Sequence, residues 1–111
     1  MSGLNWYEHL YTDEKVQNKI DHIKWRLNHG AGSFKLYLIT LSTSEKMQLD
    51  ILPAYLIRQK ALRNRLPMII GVTSGYQQAE ELVVKIVEEV YASTGSADLR
   101  RYFETADTEV N

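Results

Sequence analysis

Hydrophobic and polar residues change their spacing along the chain, and each spacing predicts a type of element. The first regular spacing follows residue 12, where apolar side chains recur at intervals of four, three and four residues. These side chains are Val16, Ile20, Ile23 and Leu27. The intervals place them on one face of an α-helix, which Thr12 or Asp13 can cap and Gly30 can end.

An aromatic segment precedes this helix. Its apolar residues are Leu4, Trp6, Tyr7, Leu10 and Tyr11. Exposing all of them would leave a large apolar patch on the surface, so we expect the segment to pack against the domain. The predicted conformation is a short helix or an arm.

Two runs in the middle of the chain predict a β-hairpin. In Phe34–Leu41, both alternating sets of positions contain apolar residues, so both faces of a strand would be apolar. This pattern is typical of a central strand that is covered on both faces. Met47–Leu52 alternates apolar and polar residues, which predicts a half-buried strand joined to the first by a polar turn at 42–46. A helix through Met47–Leu52 is the alternative, but the alternation and Pro53 favour the strand.

The second half of the chain predicts a helix, a third strand and a second helix, in that order. A helix is expected from Pro53 to about Asn64, because proline suits the first helical turn. Met68–Val72 then predicts a strand, and Gln77–Thr94 predicts an amphipathic helix. The apolar stripe of that helix consists of Ala79, Leu82, Val83, Ile86, Val87 and Val90.

These elements predict a single α+β domain over residues 1–111, with a short last helix and a flexible tail at 105–111. The sheet is expected to be small, three-stranded and mostly antiparallel: a β-hairpin plus one crossover strand, packed by three to four helices. Phe34–Leu41 is the central strand, between its hairpin partner and Met68–Val72. Because so narrow a sheet has two free edges, a homodimer is the expected oligomer.

The composition limits the classes of protein. The chain has no cysteine, which excludes disulfides, thiolate metal sites and a cysteine nucleophile. Its N-terminal residues do not have the pattern of a signal peptide, and no apolar stretch reaches the roughly 20 residues that span a bilayer. A cytoplasmic protein without membrane contact is therefore expected.

Charge is distributed unevenly, although the net charge is only −1. Residues 15–65 carry ten Lys or Arg and three acids, whereas residues 66–111 carry three Lys or Arg and eight acids. Such asymmetry indicates an anionic partner for the basic half, unless the halves fold together and neutralise each other. Neutralisation is the expected arrangement, because the basic residues are spread over two helices and a hairpin.

Two basic clusters are candidates for an interaction surface. The stripe on the first helix consists of His22, Trp25, Arg26 and His29, and the cluster after Pro53 consists of Arg58, Lys60, Arg63 and Arg65. An exposed aromatic ring among cations suits a base or a protein partner, and a basic helix end suits phosphates. The alternative, which we expect, is that Trp25 covers the N-terminal aromatics and the other side chains stay solvated.

The turn before the long helix is a candidate anion site. It consists of Thr73, Ser74, Gly75 and Tyr76. Backbone N–H groups at a helix N-terminus suit a phosphate or carboxylate. Because the turn lacks the lysine and the second glycine of a P-loop, capping of the helix by the Ser74 or Thr73 hydroxyl is the expected role.

Several segments of the chain share a pattern with other proteins. These segments are Leu36–Ile39, Leu49–Pro53, Ile69–Val72, the Gly75–Tyr76 turn with Ala79 and Glu80, and Tyr91–Gly95. On these segments the chain resembles a family of small uncharacterised bacterial proteins of about this length. The family has no known activity, so the resemblance implies a fold and no residue role.

No nucleophile–base pair, metal cluster or cofactor loop emerges from these motifs, so no cofactor is predicted. The sequence predicts a non-catalytic protein-interaction or binding module, and it does not identify the partner. One alternative is a nucleic-acid-binding protein that uses the basic region 15–65. Another is binding of a small ligand or anion at the Thr73–Tyr76 turn.

Overall fold

Four strands and five α-helices form an α+β fold in the computed structural model, which describes residues 4–42, 48–96 and 98–109. The strands are β1 (Trp6–Thr12), β2 (Tyr37–Leu41), β3 (Leu49–Pro53) and β4 (Ile69–Thr73). The helices are α1 (Glu14–Gln17), α2 (Ile20–Asn28), α3 (Lys60–Arg65), α4 (Tyr76–Thr94) and α5 (Leu99–Glu109). A 3₁₀ helix, Ala54–Arg58, connects β3 to α3.

The described strands form one mixed sheet in the order β1-β4-β2-β3. β2 pairs antiparallel with both β3 and β4, which confirms the predicted hairpin and the predicted order of those three strands. The prediction of three strands is wrong, because β1 adds a fourth strand that pairs parallel with β4. Met47 and the hairpin turn at 43–47 lie outside the described residues.

The aromatic segment at the N-terminus forms β1 rather than a helix or an arm. Trp6 and Leu10 pack into the core on one face of the sheet, and Tyr7 and Tyr11 pack into the core on the other. A spacing of four residues fits one face of a strand as well as one face of a helix, so the local pattern did not distinguish them. The segment is a strand because it pairs with β4.

Both faces of the sheet are buried, as the apolar pattern of β2 predicts. Tyr37, Ile39 and Leu41 face the core under α4 and α5, whereas Leu36 and Leu38 face the core under α2 and the 3₁₀ helix. The predicted strand began too early, because Phe34 lies before β2 and is 67% exposed.

The helices follow the predicted apolar faces with two changes. The first predicted helix is divided into α1 and α2, and the helix predicted from Pro53 is divided at Gln59, whose backbone is extended (ψ 113°). α4 begins at Tyr76 and ends at Gly95, which adopts the left-handed conformation (φ 72°) that glycine tolerates without strain. No helix in the described ranges is both long and apolar enough to cross a membrane.

The position of Tyr7 predicts a large loss of stability on truncation. Tyr7 is 7% exposed, and its ring meets that of Phe103 edge-on with centroids 4.8 Å apart. We expect Tyr7→Ala to lower the free energy of unfolding by about 3 kcal/mol, because it leaves a cavity between β1 and α5. Urea denaturation measures this loss.

Glu8→Ala is the matched control, because Glu8 is the next residue of β1 and is exposed. We expect it to change the free energy of unfolding by less than about 0.5 kcal/mol. Equal effects of the two substitutions would contradict the burial of Tyr7 between β1 and α5.

Candidate binding surface

The two faces of the sheet carry helices of opposite charge. Residues 14–35 and 54–65, which include α1, α2, the 3₁₀ helix and α3, contain nine Lys or Arg and two acids. α4, on the other face, contains four glutamates and one lysine. The sheet therefore separates the basic half of the chain from most of the acidic half.

This separation prevents the neutralisation that the sequence led us to expect. In the described part of the chain, no ion pair joins a basic side chain of 14–35 or 54–65 to a carboxylate of α4. The described ion pairs are His9–Glu8 and Lys85–Glu89, both exposed. The described basic side chains of this layer therefore have no counterion on α4.

Exposed aromatic rings lie within the basic layer as two close pairs, one tilted and one stacked. Trp25 is 59% exposed, and its ring centroid lies 4.2 Å from that of His29. Phe34 stacks on Tyr55 with centroids 5.0 Å apart, and the Arg58 guanidinium lies 4.9 Å from the Phe34 ring centre. Trp25 does not cover the N-terminal aromatics; Lys24 lies over the Trp6 ring instead, at 5.4 Å.

The helix that carries Trp25 and the 3₁₀ helix that carries Tyr55 and Arg58 pack on the same side of the sheet, and the loop after α2 contacts the 3₁₀ helix. Gly32 packs so closely against the Ala54 carbonyl and Tyr55 that a Cβ atom on it would overlap their backbone. Its carbonyl accepts a hydrogen bond from Arg58 Nε at 3.1 Å. We use the name basic aromatic face for the rings and cations that the elements on this side of the sheet carry: Trp25, Arg26, His29, Phe34, Tyr55, Arg58, Lys60 and Arg63.

The structure distributes the predicted site residues unequally over this face. His22, Trp25 and Arg26 are exposed on α2, His29 is exposed at its C-cap, and Lys60 is exposed on α3. Arg63 Nη1 donates to the Ile57 carbonyl at 2.9 Å, whereas Arg65 Nε donates to the Ala61 carbonyl of its own helix at 3.3 Å.

Phe34 and Tyr55 are members of the face that the sequence pattern missed. Phe34 was assigned to the buried strand, because an apolar residue next to an apolar run reads as part of it. Gly32 was the available signal, since a glycine just before Phe34 suits a loop whose backbone packs closely on another segment.

The predicted anion turn at Thr73–Tyr76 already holds a carboxylate, that of Asp13. Asp13 Oδ2 accepts hydrogen bonds from Ser74 N at 2.8 Å and from Ser74 Oγ at 2.6 Å. Asp13 Oδ1 accepts from Val16 N at 3.0 Å and so caps α1, as predicted. The carboxylate therefore joins the ends of the two parallel strands β1 and β4.

The predicted capping of α4 by a hydroxyl is wrong. Gly75 is the N-cap and provides no side-chain hydrogen bond. The Ser74 hydroxyl is used by Asp13, and the Thr73 hydroxyl donates to the Gly75 carbonyl at 2.8 Å. The turn is thus held by a contact between residues 61 positions apart, which local sequence does not show.

Asp13 and Tyr11 are among the ionisable groups near the sheet whose pKa values are shifted. Partial burial raises the pKa of Asp13, but hydrogen bonds from Ser74 and Val16 outweigh burial, so the net pKa lies below its ordinary value. Burial, followed by the hydrogen bond to Glu89, raises the pKa of Tyr11, which stays neutral and donates to Glu89 at 2.9 Å. Both groups contact neighbouring segments.

No family model, curated protein or solved structure matches the chain. The resemblance to small bacterial proteins stays a prediction. Among the described side chains, no group of three or more His, Asp or Glu is arranged to hold a metal ion.

The hydrogen bonds of Asp13 predict a pH-dependent contribution to stability. We expect Asp13→Asn to lower the free energy of unfolding at pH 7 by about 2 kcal/mol, because an amide replaces the charged acceptor of Ser74. The folded-state pKa of Asp13 is depressed, so its contribution is present above the unfolded pKa of about 4 and is lost as pH falls through the folded pKa.

Urea denaturation of both proteins at several pH values measures this contribution. The difference between wild type and Asp13→Asn is expected to shrink from about pH 5 to about pH 2. Asp21→Asn, on the exposed first turn of α2, is the control and is expected to change little. A difference that stays constant with pH would contradict the assigned role of the Asp13 carboxylate.

Proposed function

We propose that the protein is a binding module, rather than an enzyme, and that its basic aromatic face binds single-stranded nucleic acid. The observation that carries this proposal is the presence of two exposed ring pairs, one tilted and one stacked, among cations that have no ion-pair partner in the described chain. Proteins that bind single strands combine these two features, cations for phosphates and rings for bases.

The roles follow from the side chains. Trp25 and Phe34 offer exposed rings on which unpaired bases stack, and the Arg58 guanidinium over Phe34 extends that platform. Lys60, Arg26 and the remaining donors of Arg63 suit the phosphate backbone. A duplex would keep its bases stacked on each other, so the rings favour a single strand.

Fluorescence anisotropy with labelled single-stranded DNA and RNA tests the proposal. We expect binding that weakens as salt is raised, because phosphate contacts release counterions. Trp25→Ala and Phe34→Ala are each expected to weaken binding about tenfold, which corresponds to the loss of one stacked base. Tyr91→Ala is the control, because Tyr91 is equally exposed (59%) but lies on α4.

Three outcomes would contradict the proposal. The first is no binding at low salt, and the second is equal binding of single strands and duplex. The third is binding of polyglutamate with the same affinity as the oligonucleotides and without any effect of Trp25→Ala on either ligand, which would favour an acidic protein partner instead.

A second function, self-association into a homodimer, is supported by a different surface. β3 is an edge strand, and a groove of about 530 Å³ runs beside it, with Ile51, Val83 and Val84 among its lining residues. Tyr76 and Val84 on α4 are 50% and 57% exposed there. We infer that β3 and α4 of a second copy pair with this edge, since unpaired edges and apolar helix faces favour association.

Multi-angle light scattering at increasing protein concentration tests the dimer. We expect a dimer for wild type and a shift toward monomer for Val84→Glu, because the new carboxylate is buried without a partner in the interface. Tyr55→Glu on the opposite layer is the control and is expected to leave the mass unchanged. A strictly monomeric wild type at high concentration would overturn this second proposal.

A further inference from the structure

A polar groove of about 380 Å³ lies where the start of β1, the end of α2 and α3 meet. Its polar lining consists of Asn5, Asn28, Lys60, Arg63 and Asn64. Two of these residues are cations, three are amides, and no carboxylate lines the groove. This lining suits an anion, and the volume is within the range of small-ligand sites.

The Asn28 side chain is oriented by two hydrogen bonds. Its Oδ1 accepts from Leu4 N and from Trp6 Nε1, each at 2.9 Å. Because both donors require the oxygen at that position, Nδ2 occupies the other position of the amide. Nδ2 has no partner in the described part of the chain, so Asn28 offers a fixed donor to a ligand in the groove.

Arg63 is also held in place. Its Nη1 donates to the Ile57 carbonyl at 2.9 Å and lies directly against Gly30, where any side chain would displace it. Its Nε and Nη2 have no partner among the described residues and remain available. Lys60 is exposed beside it, and Lys24 adds positive charge nearby through its position over Trp6.

We propose that this groove binds a phosphate group, either of a free nucleotide or at the end of a nucleic-acid strand. A phosphate presents several acceptor oxygens to the guanidinium donors and the Asn28 amide, and it carries the charge that the two cations complement. The strand-end form rests on the proposed function, because Arg63 and Lys60 belong to both the groove and the basic aromatic face.

Isothermal titration calorimetry with adenosine 5′-monophosphate and adenosine tests the groove directly. We expect the monophosphate to bind at least about tenfold more tightly than the nucleoside. Asn28→Asp keeps the acceptor for Leu4 and Trp6 but replaces the donor with a repelling oxygen, so it is expected to abolish the preference. Lys60→Gln, which removes an exposed charge that forms no described contact, is expected to reduce it.

Arg65→Gln is the matched control, because Arg65 lies on the same helix, does not line the groove and bonds within α3. It is expected to leave the preference unchanged. Thermal unfolding of each variant shows whether it is folded, and Lys60→Gln keeps the test decisive if Asn28→Asp is unstable.

Oligonucleotides with a 5′-phosphate, a 3′-phosphate or only hydroxyl ends distinguish the two sources. A preference for a phosphorylated end that is lost in Lys60→Gln supports the strand-end form. Binding of the monophosphate without binding of any oligonucleotide supports the free nucleotide as the ligand. That second result overturns the proposed function but not the groove proposal. If hydroxyl-ended strands bind equally well and neither phosphate preference appears, the groove proposal is overturned while the proposed function stands.

Discussion

The parallel pairing of β1 with β4 is the constraint on which the other features depend. It places β1 at an edge of the sheet and divides its side chains between the two cores, so that Trp6 lies under α2 and Tyr7 under α5. At one end of the pair, the Asp13 carboxylate connects α1 to the turn after β4. At the other end, Asn28 connects α2 to the start of β1. Asn28 also lines the groove at this end of the pair.

A sheet that is buried on both faces also determines where the charges go. Charged side chains cannot be accommodated in either core, so the basic and acidic helices expose them on opposite sides of the molecule. The net charge of −1 therefore conceals a basic surface and an acidic one. Because the sheet separates the two, the basic layer has no internal counterion in α4, and an external anion is the partner that its charge favours.

The proposed sites use backbone contacts to position side chains that are otherwise flexible. Arg58 and Arg63 each donate one hydrogen bond to a backbone carbonyl. This bond orders the guanidinium and leaves its charge and its other donors for a ligand. Gly32 and its close contact with Ala54 bring Phe34 beside Tyr55. Most of these contacts join residues that are about 20 or more positions from each other in the sequence. The exception is the hydrogen bond from Arg63 to the Ile57 carbonyl.

The sequence alone determined the helices and strands that show a regular spacing of apolar side chains within their own segment. The stripe of α4, the two-sided β2, the hairpin and the order of its three strands all follow from side-chain spacing, and Trp25, Arg58 and Lys60 were recognised as surface candidates. Only the tertiary structure decided that the aromatic N-terminal segment is a strand, that Asp13 occupies the Ser74 turn, and that Asn28 faces a groove beside Arg63. The physical reason is that strand pairing and these hydrogen bonds join distant residues, and a spacing of four residues leaves helix and strand equally compatible until a partner strand is present.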